Sequence, residues 1–186
     1  MKQVYFNLVP FDSGNTLPIK IAGNISRIDN QLNIKYILSG NLSTIVVPQI
    51  NNNPHRKYDL WERTCFEFFL KPKNTNKYWE FNLSPTRNWN VFRFSNYREN
   101  IAEEMAFDSL PFTILQQEDI FTIELNIDLD KIALHSDAVE LISQKDLDIA
   151  ITAVVEDKDN QLSYWALAHP ITEADFHHPD GFIVSL

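Results

Sequence analysis

"KYWEFNLSPTRNWNVFRF", residues 77–94, is the stretch that decides the fold. Two short aromatic-rich runs flank Ser84-Pro85-Thr86-Arg87-Asn88, a segment rich in turn formers. Runs this short, with such side chains, read as two strands of an antiparallel hairpin. Taking Pro85–Asn88 as a four-residue loop sets Ser84 opposite Trp89, Asn82 opposite Val91 and Glu80 opposite Arg93. One face then holds Trp79, Phe81, Leu83, Phe92 and Phe94 as core. The other carries Tyr78, Glu80, Asn82, Trp89 and Arg93.

The preceding run, "TCFEFFL" (64–70), extends the sheet. Matching core to core puts Cys65, Glu67 and Phe69 on the polar side, so Glu67, Glu80 and Arg93 are expected in one row across three strands. The row depends on register, because a one-residue slip moves a strand's side chains to the opposite face.

Outward from this sheet, alternation dominates. "PIKIAGNISRI" and "LNIKYIL" read as a second hairpin, followed by a strand at "STIVV" and a polar loop over 48–59. "FTIELNID", "DIAITAVVE", "LSYWALAH" and "GFIVSL" supply further strands. Two short helices are expected, around 98–106 and 130–144. The pattern predicts an all-β, antiparallel β-sandwich of jelly-roll type with one or two short helices, forming a single domain over 1–186.

The net charge of −9 with no basic block argues against nucleic-acid and anionic-membrane partners. No apolar run has the length of a transmembrane span or the continuity of a secretory signal, so a cytoplasmic location is expected. A lone cysteine, Cys65, excludes an intramolecular disulfide and reads as a small buried filler.

Two carboxylates beside a guanidinium form a hydrogen-bonding cluster suited to sugar hydroxyls. Trp61, Trp89 and Tyr78 offer stacking surface, whereas Trp79 and Trp165 read as core. The candidate ligand-binding residues are therefore Trp61, Glu67, Glu80, Asn82, Trp89 and Arg93. The competing structural reading is a set of mutually satisfied Glu–Arg pairs on a solvated sheet face.

"DLWERTCFEFFLKP", "YWEFNLSPTRNWNVFRFSNYRE", "VVEDKDNQLSYWALAHP" and "ADFHHPDGFIVSL" together resemble the bacterial DOMON-like domain proteins, related to family 9 carbohydrate-binding modules. The motifs come in that family's order along nearly the whole chain. The resemblance implies a β-sandwich that binds a small molecule or glycan, of a class whose members take sugars or haem.

Other chemistries have weaker support. Haem ligation by Met and His would require Met105, in a helix or loop near 98–106. The tail "HPITEADFHHPDG" gathers His169, Asp175, His177 and His178, usable metal ligands at a spacing that matches no defined motif. As a structural loop, the same segment would use Asp175 and its histidines to bond backbone groups. Glu67 and Glu80 suggest a glycoside hydrolase pair, but Arg93 in the same cluster would keep both ionised. A protein-interaction module that covers its aromatic face with a partner is the remaining alternative. No cofactor and no catalytic nucleophile are expected.

Overall fold

The computed structural model describes residues 2–132 and 141–186. Among the described residues thirteen strands build two antiparallel sheets: β1 (Lys2–Asn7), β2 (Val9–Pro10), β3 (Ile19–Ile28), β4 (Gln31–Gly40), β5 (Cys65–Pro72), β6 (Tyr78–Leu83), β7 (Trp89–Phe94), β8 (Ala102–Glu103), β9 (Phe112–Gln116), β10 (Ile120–Asp128), β11 (Leu147–Glu156), β12 (Leu162–Ala166) and β13 (Val184–Ser185). The smaller sheet runs β1-β3-β4-β10-β9; the larger runs β2-β12-β11-β5-β6-β7-β8, with β13 also paired to β11. The architecture is the expected β-sandwich.

Alternation explains the smaller sheet. In β3, Ile19, Ile21 and Ile25 are buried while Lys20 is exposed, the period-two pattern of a strand with one wet face. Ile28 pairs with Gln31 around Asp29-Asn30. Asp29 takes the left-handed conformation (φ 52°) such a tight turn calls for.

The larger sheet is buried on both sides. Every residue of β6, and every residue of β5 from Cys65 to Leu70, is buried. Phe66, Phe68, Trp79, Phe81, Ile149 and Ile151 face the smaller sheet and make the main core. On the outer face, Phe69, Tyr78, Phe92, Phe94 and Phe182 form a second apolar cluster, with Trp61 and Phe176 against it. This second cluster lets loops seat on the outer face and wall a site there.

The β6–β7 hairpin departs from the expected register by one residue. Leu83 pairs with Trp89, Asn82 with Asn90, Glu80 with Phe92 and Trp79 with Arg93. The loop closes through Ser84 and Asn88, whose N–H···O=C bond is 3.0 Å, and Arg87 turns the chain at φ 70°. The slip exchanges the faces of β7. Phe92 and Phe94 join the outer cluster, while Trp89 and Val91 join the main core.

The helix expected over 98–106 is instead the short strand β8 with a turn on either side. Over 130–144, single 3-10 turns occupy Leu129–Lys131 and Ile142–Gln144, and the intervening part of that expectation lies outside the described residues. "STIVV" is not a strand: a 3-10 turn at Leu42–Thr44 precedes an isolated bridge from Ile45 to Asp157. The last run is a strand only at Val184–Ser185. Among the described residues no helix is long and apolar enough to cross a membrane.

A candidate ligand cleft on the outer face of the larger sheet

A cleft of about 500 Å³ opens on the outer face of the larger sheet. Its floor comes from β5, β6 and β11 as Glu67, Glu80 and Val154, and its walls include Trp61, Arg98, Tyr164, Phe176 and His177. The volume falls within the range of about 300–1,000 Å³ common for small-molecule pockets.

Register places the two carboxylates. Glu67 pairs with Asn82 and Glu80 with Phe69, so Glu67 and Glu80 are diagonal neighbours on one face rather than a directly opposed pair. Asn82, beside them on the same face, donates to Glu80 Oε1 at 2.8 Å. Glu67 is only 2% exposed, and its Oε1 is buried with no hydrogen-bond partner. A buried acceptor left open at the floor of a cleft is a place for a ligand's donor.

Burial, and then the charge of Glu80, push the Glu67 carboxyl well above the ordinary carboxylate range. Burial likewise lifts Glu80 to about 7, against the hydrogen bond from Asn82 and the charge of Arg98. The two cannot both ionise readily at neutral pH. Between them the two carboxyls retain a proton at neutral pH. The floor thus presents a carboxylic acid and an acceptor carboxylate side by side.

The C-terminal segment supplies the wall. Tyr78 Oη accepts from the Arg98 N–H at 3.1 Å and lies 2.8 Å from His177 Nδ1. Burial holds the Tyr78 phenol up at about 12, so it stays protonated. The other ring nitrogen of His177, Nε2, lies 3.8 Å from Glu80 Oε2. Burial, and next Arg98, push His177 down to about 4, so the ring is neutral at pH 7. Asp175 fastens this segment by accepting from Arg98 at 2.7 Å, from the Tyr97 hydroxyl and from the His177 N–H at 3.0 Å. Its own burial is outweighed by the Tyr97 and Arg98 hydrogen bonds, and its carboxyl lies below the ordinary range.

Of the expected site residues, Trp61, Glu67 and Glu80 line the cleft, and Asn82 holds Glu80 by a hydrogen bond. Arg93 and Trp89 do not belong to it. Arg93 is exposed and, across from Trp79, lies on the opposite side of the sheet. Trp89 is buried in the main core with the Arg56 guanidinium 4.4 Å over its ring. The expected Glu67–Glu80–Arg93 row is therefore corrected to Glu67–Glu80 alone. Tyr78 is buried too, stacked on Phe94 at 4.5 Å.

The C-terminal histidines do not converge. His169 Nε2 meets the Val9 carbonyl at 2.9 Å near the sheet edge, His178 Nδ1 accepts from the Asp180 N–H, and His177 alone enters the cleft. Among the described residues no group of three or more metal-ligating side chains forms. Met105, 69% exposed in a turn, is not placed to ligate a buried haem. Glu156, the last residue of β11, is buried and paired with Arg63.

Sequence reasoning missed Arg98, His177, Tyr164 and Phe176 as cleft residues. Arg98 binds Asp175 on the C-terminal segment. The signal for the wall was "ADFHHPDG", whose Asp175 anchors the chain and whose Phe176 and His177 face inward.

Comparison with solved structures finds the following similarities. A candidate carbohydrate-binding protein from Bacteroides uniformis ATCC 8492 superposes with a TM-score of 0.67 at 14% identity, over 96% of this chain and 83% of its own. The likeness is one of fold. A family 9 carbohydrate-binding module from Caldicellulosiruptor kristjanssonii, solved with cellotriose, gives a TM-score of 0.48 at 13% identity over 88% of this chain and 72% of its own. No family model and no curated protein sequence matches the chain.

Proposed function

We propose that this chain is a non-catalytic DOMON-like domain, related to family 9 carbohydrate-binding modules, that binds a neutral sugar or glycan in the outer-face cleft. The observation that carries the reading is the buried, unpartnered Glu67 Oε1 at the cleft floor, in a lining shared with Glu80, Trp61, Tyr164 and Phe176. Carboxyl groups accept from, and when protonated donate to, sugar hydroxyls. Aromatic faces stack on the apolar faces of pyranose rings. The fold likeness to the Bacteroides uniformis protein supports the same class of ligand.

Calorimetric titration with a panel of neutral mono- and oligosaccharides tests it. Binding that is lost in Glu67→Ala, with the thermal transition retained, is the expected result. Silence across the panel would sink the sugar reading. Hydrolysis of a bound oligosaccharide would sink its non-catalytic part, since a raised carboxyl beside an ionised one is also the arrangement used for acid–base work on glycosides.

A further inference from the structure

We infer that a second binding site adjoins the cleft across Tyr164, so that the ligand is a linear oligosaccharide spanning both. This rests on the sugar-binding reading above. A second hollow of about 390 Å³ is lined by Phe11, Asp12, Thr16, Asp157 and Gln161, together with Leu162 and Tyr164. The last two residues also line the main cleft. The two hollows are therefore neighbours sharing one wall.

Topology explains the adjacency. β12 lies between β2 and β11, and Tyr164 pairs with Val154, a floor residue of the main cleft. Tyr164 thus stands on the outer face as a divider, 38% exposed, with the Phe176 ring edge-on at 6.0 Å. The loop at 11–17 is tied to β12 by the Phe11 N–H to Tyr164 carbonyl bond of 2.7 Å. The β11–β12 turn closes the other side.

The chemistry of the second hollow repeats that of the first, with carboxylate acceptors around an aromatic ring. Asp12 Oδ1 is held by the Gly14 N–H at 2.8 Å, and Asp157 Oδ1 by the N–H groups of Asp159 and Gln161, both at 2.8 Å. An ionised carboxylate has about four acceptor sites, so each anchored side chain keeps capacity for ligand hydroxyls. A glycan presents apolar ring faces and hydroxyl edges at every unit, which suits two like hollows joined over one ring.

Calorimetry with one- to five-unit oligomers of β-glucan, α-glucan, xylan, mannan and chitin tests the proposal. In the series that binds, affinity should rise at least tenfold from one unit to five. Thr16→Trp and Gln161→Trp, at exposed positions lining only the second hollow, should remove that gain and leave the monosaccharide affinity within twofold. Equal affinity for one unit and five, or a gain surviving both variants, overturns the inference while the cleft reading stands. Failure of every sugar to bind overturns both.

Discussion

Glu67 and Glu80 project from the same face of adjacent strands into one cleft, offset by two positions because Glu67 pairs with Asn82 and Glu80 with Phe69. Both are buried, and the nearest guanidinium, Arg98, is already bound to Asp175. Among the described residues the cleft lining holds one guanidinium, that of Arg98, whose charge lowers Glu80 only in part against burial, and His177 is neutral. The pair therefore holds one proton at neutral pH and suits ligands that carry no negative charge. A uronic acid should bind at least tenfold more weakly than the matching neutral sugar at pH 7, and equal affinities would contradict this electrostatic account.

Stability should respond to pH through two opposed groups. Glu80 is raised in the folded state from 4.5 to about 7, so its contribution is fully present below pH 4.5 and is lost as pH rises through 7. His177 is lowered from 6.5 to about 4; its contribution is present above pH 6.5 and is lost as pH falls through 4. Each is worth up to about 3 kcal/mol, so the two largely offset in the wild type. Glu67, raised for the same reason as Glu80, adds to the low-pH side. Urea titrations at pH 4.5 and 8 should show His177→Gln more stable at the lower pH. Glu80→Gln should lose the corresponding preference. Identical pH profiles for the two variants would refute the assignment.

Three residues on the larger sheet should separate binding from folding. Trp61 is half-buried at the cleft wall with Phe92 edge-on at 5.9 Å, and Trp61→Ala should weaken sugar binding about tenfold, or about 1.4 kcal/mol. Trp89 is buried in the main core; Trp89→Ala should destabilise by about 3–5 kcal/mol. Arg93 is exposed on the far side of the sheet, and Arg93→Ala should stay within about 0.5 kcal/mol of wild type and bind normally. Denaturation midpoints and calorimetry on the same preparations check all three, and a binding defect in Arg93→Ala alone would restore the register rejected above.

How legible the sequence was depended on how many faces each strand buries. β3 and β4 expose one face, so Ile21 and Lys20 alternate and their hairpin is readable to within a residue or two. β5, β6 and β7 bury both faces, and aromatics occur at odd and even positions alike, so pattern alone could not choose the register. The turn withheld the missing cue: Arg87 occupies the positive-φ position, where a glycine would have advertised a turn of that shape. Glu67 and Glu80 survived the slip because β5 and β6 were correctly paired face to face. Arg93 and Trp89 did not, because the error lay between β6 and β7.

Arg56 illustrates a structural role that the loop's polar composition concealed. Its guanidinium donates to Asn90 Oδ1 at 2.8 Å and to the Glu104 and Phe107 carbonyls at 2.9 and 2.7 Å, while lying over Trp89. These bonds knit the 48–59 loop and the chain after β8 to the sheet edge. Arg56→Met should cost about 2–4 kcal/mol, because carbonyls lose a charge-assisted donor. Arg56→Lys should recover only part of this, lacking the planar fork. A denaturation midpoint unchanged in both variants would remove Arg56 from the account of stability.

Arg98 joins the wall of the cleft to its electrostatics. Its side chain binds Asp175, its backbone N–H reaches Tyr78, and its charge lowers both Glu80 and His177. In Arg98→Ala the Tyr97 hydroxyl still holds Asp175, and Arg98 itself is half exposed. The loss of stability should accordingly be about 1 kcal/mol or less. The titrations should move much more clearly: without the guanidinium, Glu80 rises above 7 and His177 rises above 4. Arg98→Lys retains the charge and should keep both near their wild-type positions even though the fork is lost. Carboxyl and imidazole NMR titrations distinguish the variants. If Arg98→Ala left both midpoints in place, Arg98 would be a fastener of the C-terminal segment and nothing more. If Arg98→Ala and Arg98→Lys shifted them equally, segment geometry rather than charge would set the protonation of the floor.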